Sequence, residues 1–195
     1  MCPPSESIRP PQTSQAPEFS PHERQLLLRL AHESIEAAFE NRQLDLTPPT
    51  QHLAEFRGAF TTLHLHGRLR GCIGYVFPSH PLYRTVAETA RAAAFDDPRF
   101  EPVTSPEAGE LKVDISVLSP LRPIAPEEVE VGKHGLVVTH GTRRGLLLPQ
   151  VPVEWDWDRD TFLAQTCLKA GLPPDAYLHG AQVQAFTAEV FADPE

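Results

Sequence analysis

The chain has 195 residues, of which 41% are hydrophobic and 22% are charged, and its formal net charge is −9. This size and composition are typical of one globular domain, or of two small lobes that share a core. The negative charge argues against nucleic acid or an anionic membrane as the main partner, because both bind basic surfaces. No apolar run approaches the roughly 20 residues that span a bilayer. Three widely spaced cysteines give no disulfide framework, so we expect a cytoplasmic protein without a membrane span.

The amino terminus differs in composition from the rest of the chain. Residues 1–19 are rich in proline and serine and lack the apolar segment of a secretory signal, which predicts a disordered tail. The folded domain is expected at 20–192. A capping box of Ser20 and Glu23 predicts the start of a helix that continues to about Glu40, with apolar residues recurring on one face.

Residues 59–77 predict a β-hairpin. We expect a three-residue loop at 66–68, because this register separates the apolar side chains from the polar ones. Cys72 then pairs with Thr62 on a polar face. The side chains expected on that face are those of Thr62, His64, Arg70 and Cys72, and those expected to face the core are Leu63, Leu65, Leu69, Ile73 and Tyr75.

The remaining elements mix helices and strands without a repeating βαβ unit, which predicts an α+β fold. Its two lobes are expected around a largely antiparallel sheet that is flanked by helices. Pro149 and Pro152 argue against a continuous helix or a central strand in the segment that contains them. The predicted elements are a helix at 81–95, a strand at 111–118, a hairpin at 134–149, a helix at 158–172 and a strand at 182–191.

The segment LRGCIGY at 69–75 contains the main candidate for chemistry. Cys72 is a small core residue, a reactive thiol or a metal ligand. Arg70 lies on the same predicted face, and a nearby cation favours the nucleophilic thiolate. A nucleophilic cysteine also needs a base within reach. His64 is the local candidate, and His134, in the glycine-flanked turn VGKHG, is a more distant one.

The glycines of this segment do not form a nucleotide-binding loop, because their spacing fits neither GxGxxG nor the P-loop pattern. Gly71 and Gly74 instead permit twist, a bulge, or the close approach of another backbone or a ligand. His64 and His66 could face one metal ion, but no acidic or cysteine partner accompanies them, so no metal site is predicted.

Two other groups of charged residues have competing interpretations. In LLLPQVPVEWDWD (146–158), carboxylates alternate with the two tryptophans of the chain. Glu154 could serve acid/base chemistry or bind a polar ligand, whereas Asp158 is interpreted as the cap of the next helix. In DDPRF, Asp97 and Arg99 are interpreted as a local ion pair.

Several long segments together resemble the AMMECR domain, the AmmeMemoRadiSam system protein A family. They are LRGCIGY, AAAFDDPRF, KVDISVLSP, VGKHGLVV and RGLLLPQVPVEWDWDRDTFLAQTCLKAGLPPDAY, in this order, and the resemblance runs from about residue 20 to 192. It implies an α+β fold with two lobes and an intracellular protein. Prokaryotic members tend to be encoded beside a Memo-like protein and a radical SAM protein, which are therefore possible partners. The resemblance implies no particular reaction or cofactor.

The resemblance also indicates where a site would lie. His64 belongs to no motif of the family, which leaves His134 as the stronger candidate for the base. The family motifs match Arg70, Gly71, Cys72, Ile73 and Gly74 in RGCIG, His134 and Gly135 in the HG turn, and Pro149, Glu154, Trp157 and Asp158 in LPxVxxExxWD.

Together these observations predict an enzyme, or enzyme component, that acts on a small metabolite through a cleft containing RGCIG. The predicted catalytic residues are Cys72, His134 and Glu154, and the predicted ligand-binding residues are Arg70, Gly71 and Gly74. The alternative is a non-catalytic binding or adaptor module for a Memo-like or radical SAM partner.

Overall fold

Residues 17–194 are described in the structure, which is a computed structural model. They divide into a first unit, residues 17–118 with 189–194, and a second unit, residues 119–188. Each unit contains helices and a four-stranded antiparallel sheet, so the α+β class predicted from the sequence is confirmed. Of the predicted tail, residues 1–16 lie outside the described residues. Phe19, near its end, is buried in the core of the first unit.

The helices and strands are numbered in chain order. The helices are α1 (Pro21–Phe39), α2 (Leu82–Phe95), α3 (Ser105–Ala108), α4 (Gln150–Glu154) and α5 (Arg159–Lys169). The strands are β1 (Ala59–Leu65), β2 (Arg68–Tyr75), β3 (Leu111–Leu118), β4 (Arg122–Pro123), β5 (Gly135–His140), β6 (Arg143–Leu147), β7 (Gln182–Phe186) and β8 (Ala188–Ala192). No helix of the described part is long and apolar enough to cross a membrane.

The first unit contains a sheet with the strand order β2-β1-β3-β8, and α1 and α2 pack on one of its faces. Helix α1 begins at the predicted capping box, where Ser20 Oγ accepts from the Glu23 amide at 3.2 Å. A buried hydroxyl pair, Thr61 on β1 and Thr89 on α2, links sheet to helix at 2.8 Å. In this strand order β2 is an edge strand, and α2 covers one of its two faces.

The second unit contains a sheet with the strand order β4-β7-β5-β6, and α5 packs on it. Asp158 caps α5 by accepting from the Thr161 amide at 2.8 Å, which confirms the structural interpretation of this residue. The core of the unit includes the fully buried side chains of Leu136, Val138, Phe162, Leu163 and Cys167.

The β1–β2 hairpin confirms part of the predicted register and corrects the rest. Thr62 pairs with Cys72, as predicted, but His64 pairs with Leu69 instead of Arg70. The turn has two residues, His66 and Gly67, with φ values of 51° and 76°. Two left-handed residues match the twist of a hairpin, and the extra residue is taken up as a bulge in β2. At the end of β2, Tyr75 is 41% exposed and so is not part of the buried core, contrary to the prediction.

One other element differs from its prediction. The predicted last strand, 182–191, is two strands: β7 belongs to the sheet of the second unit and β8 to that of the first. The segment with Pro149 and Pro152 forms no continuous helix and no central strand, as predicted. It contains the five-residue helix α4, in which Pro152 lies in the first turn, where the missing N–H of a proline costs no intrahelical hydrogen bond.

A glycine on an edge strand lets a helix touch the sheet in each unit. A Cβ atom on Gly71 would lie 2.1 Å from the carbonyl oxygen of Ala93 on α2. A Cβ atom on Gly145 of β6 would lie 2.3 Å from the amide nitrogen of Ala170, next to α5. Both distances are far below van der Waals contact, so these positions need glycine for packing.

Candidate functional site

Cys72 lies in the middle of β2, on the sheet face that does not carry the helices. Its neighbour Gly71 points at α2, and side chains alternate along a strand, so the thiol points to the other face. It is half-buried there, and Thr62 Oγ1 donates a hydrogen bond to its Sγ at 3.3 Å. Across Thr62, on β3, the partner residue is Asp114. The structure thus brings Cys72, Thr62 and Asp114 into one row across three strands.

His64 lies two residues along β1 from Thr62, on the same face. Its Nδ1 is 3.6 Å from Oδ2 of Asp114. We call these four residues, Cys72, Thr62, His64 and Asp114, the thiol face. It combines a thiol, a hydroxyl, an imidazole and a carboxylate, which are the groups that nucleophilic chemistry on cysteine uses.

The main chain of Cys72 is held by the DDPRF segment. Its amide donates to Oδ2 of Asp97 at 2.9 Å, and its carbonyl accepts from Nη2 of Arg99 at 3.2 Å. Asp97 and Arg99 also form the predicted ion pair, at 2.8 Å. Asp97 is 4% exposed, and hydrogen bonds from Arg99 and from the Cys72 amide lower its pKa to about 2 despite its burial. The pair satisfies the outward-facing backbone groups of an edge strand at the cysteine.

The guanidinium of Arg70 donates hydrogen bonds to three residues of the segment 101–107. Its Nε and Nη2 donate to the two carboxylate oxygens of Glu107, at 3.0 and 3.2 Å. Further bonds run to the carbonyl oxygens of Glu101 and Pro102. The guanidinium holds the pKa of Glu107 at about 2. A bidentate pair with two carbonyls uses most of the donors of an arginine, so these contacts favour a structural role over the predicted binding of an anion.

The two glycines predicted to bind a ligand both have packing partners. Gly71 admits Ala93 of α2, and a Cβ atom on Gly74 would lie 2.2 Å from the ring of Phe60. These contacts account for glycine at both positions, while a ligand role remains a prediction. Among the RGCIG residues predicted to act on a ligand, Cys72 is the one whose side chain, a half-buried thiol, is capable of nucleophilic chemistry.

His134 precedes β5 in the second unit and is 2% exposed. Its Nδ1 accepts from the amide of Glu130 at 3.1 Å, and its Nε2 is buried without a hydrogen-bond partner in the described part of the chain. Burial lowers its pKa, and the charge of Lys133 acts in the same direction. The imidazole is therefore neutral with its proton on Nε2, and its lone pair is already engaged. This arrangement favours a hydrogen-bond donor over the predicted base.

Glu154 ends α4 in the second unit. The residue is exposed, but nearby protein atoms remove part of the hydration of its carboxylate, which raises its pKa. The neighbouring tryptophans Trp155 and Trp157 stack with ring centroids 6.2 Å apart. Because Cys72 belongs to the first unit and both His134 and Glu154 to the second, the predicted catalytic trio is divided between the two units. Its assembly stays a prediction.

Among residues 17–194, the structure brings together one group of side chains of the types that can ligate a metal, which the sequence analysis missed. Ligand atoms of Glu18, His52 and Glu55 lie within 4.8 Å of one another. The buried guanidinium of Arg57 pairs with both carboxylates and already compensates their charge. These residues are separated by up to 37 positions, so no spacing motif announces them.

Fold and thiol face together define an α+β protein with a half-buried cysteine on the helix-free face of an edge strand. The AMMECR1 family model matches residues 28–191, so the chain belongs to the AMMECR1 family. Protein MK0488 of Methanopyrus kandleri is 44% identical in an alignment of 185 residues that covers 89% of this chain and 89% of the relative. Protein Mbar_A1807 of Methanosarcina barkeri is 42% identical over 86% of this chain and 89% of the relative.

A solved structure is also similar. The crystal structure of the uncharacterized protein PH0010 from Pyrococcus horikoshii has a TM-score of 0.68 and 43% sequence identity, and the match covers 86% of this chain and 89% of that one. The names of these relatives state no activity. These matches show the family of the protein but not the reaction that it catalyses or supports.

Proposed function

We propose that this protein is an enzyme, or enzyme component, that acts on a small metabolite with the thiol of Cys72 as its reactive group. The observation that carries the proposal is the hydrogen bond from Thr62 Oγ1 to Cys72 Sγ. A donor to sulfur stabilises the thiolate, which is the nucleophilic form. The fixed main chain of Cys72 supports the same role, because Asp97 accepts from its amide and Arg99 donates to its carbonyl oxygen.

For the base, the contacts within the first unit favour His64 over His134. His64 shares the thiol face with Cys72, and Asp114 lies at ion-pair distance from its Nδ1. A carboxylate in this position orients an imidazole and stabilises its protonated form. Residues that lie diagonally across an antiparallel pair are about 7 Å apart, so a water or the substrate would relay a proton between Cys72 and His64. Glu154 stays a proposal as a further acid/base group.

The second candidate function is a binding or adaptor module. The observation that favours it is a set of exposed aromatic side chains at the open end of the β1–β2 hairpin: Phe56 is 60%, Tyr75 41% and Phe77 42% exposed. Neighbouring exposed apolar residues are typical of docking surfaces. On this proposal a Memo-like or radical SAM protein would be the partner.

Alkylation of Cys72 separates the two functions. We expect iodoacetamide to modify Cys72 in the folded protein, with half-maximal reaction below about pH 8.5, the value for an unperturbed thiol. Mass spectrometry reads the site, and Cys167 is the internal comparison because it is fully buried and burial raises its pKa. If Cys72 reacts only after unfolding, the thiol is a packing residue and the adaptor function gains support.

A matched pair of variants tests the hydrogen bond from Thr62 Oγ1 to Cys72 Sγ. Thr62→Val removes the hydroxyl at constant shape, and we expect it to slow alkylation at neutral pH about tenfold, because a hydrogen bond to a charged group contributes about 1.5–3 kcal/mol. Thr62→Ser keeps the hydroxyl and is expected to react like the natural protein. Equal rates for the valine and serine variants would show that the hydroxyl does not activate the thiol.

A further inference from the structure

A cavity of about 310 Å³ lies in the second unit beside the turn that precedes β5. His134 and Lys133 line it from this turn, Glu128 and Glu130 from the segment before it, and Arg122 from β4. This volume is at the lower end of the range of small-molecule sites, which is roughly 300–1,000 Å³. None of these residues takes part in the proposed chemistry on the thiol face.

His134 makes the cavity chemically selective. Since the Glu130 amide donates to Nδ1, the neutral ring must carry its proton on Nε2. Nε2 is buried and has no hydrogen-bond partner in the part of the chain that the structure describes. A buried N–H without an acceptor is unfavourable, so a ligand that supplies an acceptor would gain affinity by satisfying it.

The charges around the cavity indicate which acceptor fits. Lys133 Nζ is paired with Glu130 Oε1 at 2.7 Å, and the carboxylate of Glu128 accepts from the Ala125 amide. The guanidinium of Arg122 is exposed and forms no ion pair with another residue of 17–194. One cation and one N–H donor therefore remain available to a ligand.

We infer that this cavity binds a small ligand through an anionic oxygen, a carboxylate or a phosphate, which accepts from Nε2–H of His134 and pairs with Arg122. The site lies wholly within the second unit and does not depend on the chemistry of Cys72. In this role His134 is a binding residue that stays neutral.

Malonate and inorganic phosphate are suitable probes for the two kinds of anion, and calorimetry of the full chain measures their affinity.

Variants of His134 and Arg122 test the two contacts. Asparagine at position 134 keeps an acceptor near Nδ1 for the Glu130 amide but has no donor at Nε2, whereas glutamine places an amide donor near Nε2. We expect His134→Asn and Arg122→Gln each to weaken binding about 10- to 100-fold, as for a lost hydrogen bond to a charged group. His134→Gln is expected to retain most of the affinity. Arg144→Gln, an exposed change on β6 away from the cavity lining, is the matched control.

A second measurement needs no variant. The ¹⁵N signal of the His134 ring should identify the Nε2–H form and shift when the probe that binds is added. Preference for malonate over phosphate would indicate a carboxylate ligand, and the reverse preference a phosphorylated one. The inference is overturned if neither anion binds the natural protein at millimolar concentration, or if His134→Asn binds as tightly as the natural protein.

Discussion

Replacement of Gly71 by alanine is expected to lower the free energy of unfolding by about 3 kcal/mol, the upper end of the usual cost of overpacking. The added Cβ would lie 2.1 Å from the carbonyl oxygen of Ala93, in the backbone of α2. A helix backbone cannot turn aside as a flexible side chain can, so α2 or β2 has to shift. Urea unfolding followed by circular dichroism measures the loss as a lower midpoint.

Two other alanine variants make this result interpretable. A Cβ atom on Gly109 would have no heavy atom within 4 Å, and its φ of −74° suits any residue, so Gly109→Ala should be nearly neutral. Gly145→Ala repeats the steric clash in the second unit, against Ala170, and should also be destabilising. If Gly71→Ala were as stable as Gly109→Ala, the packing explanation would fail and the predicted ligand role of Gly71 would be favoured.

Local signals in the sequence predicted most elements of the fold. The capping box set the start of α1, and the alternation in LKVDISVL gave the bounds of β3 without error. The errors arose where tertiary context decides. The hairpin turn depends on whether His66 takes the left-handed region, and the sequence does not exclude either loop length. The break between β7 and β8 at Thr187 arises because these consecutive strands belong to different sheets, which local sequence does not reveal.

The candidate site was predictable as a set of residues and much less as a set of contacts. The pattern of the hairpin placed Cys72 opposite Thr62, because that pairing depends only on neighbouring strands. The partners that define the environment of RGCIG lie far along the chain: Asp97 is 25 residues from Cys72, and Glu107 is 37 residues from Arg70. No sequence period connects such pairs. The proton position on His134 likewise follows from a backbone amide that any residue except proline would supply at position 130.

Acidification is expected to loosen the segment that holds the main chain of Cys72. The pKa of Asp97 is lowered from 3.8 to about 2 in the folded protein. Because the folded value is the lower one, the carboxylate contributes its full stabilisation above about pH 4, and this stabilisation is lost as the pH falls towards 2. The difference corresponds to about 2 kcal/mol. Unfolding free energies measured at several pH values should show this decline, and Asp97→Asn should show a smaller one.

At pH 7, Asp97→Asn is expected to cost about 2–4 kcal/mol, because it removes the negative charge that pairs with Arg99 and places an NH2 group against an N–H donor of Arg99 or Cys72. Hydrogen exchange gives the local readout: the Cys72 amide should exchange faster in this variant, while the amides of α5 in the second unit should be much less affected. Asp160→Asn, an exposed change in the first turn of α5, is the control and should alter neither quantity. If the Cys72 amide exchanged at the same rate in both variants, the hydrogen bond from this amide to Asp97 would not be what holds the main chain of Cys72 in place.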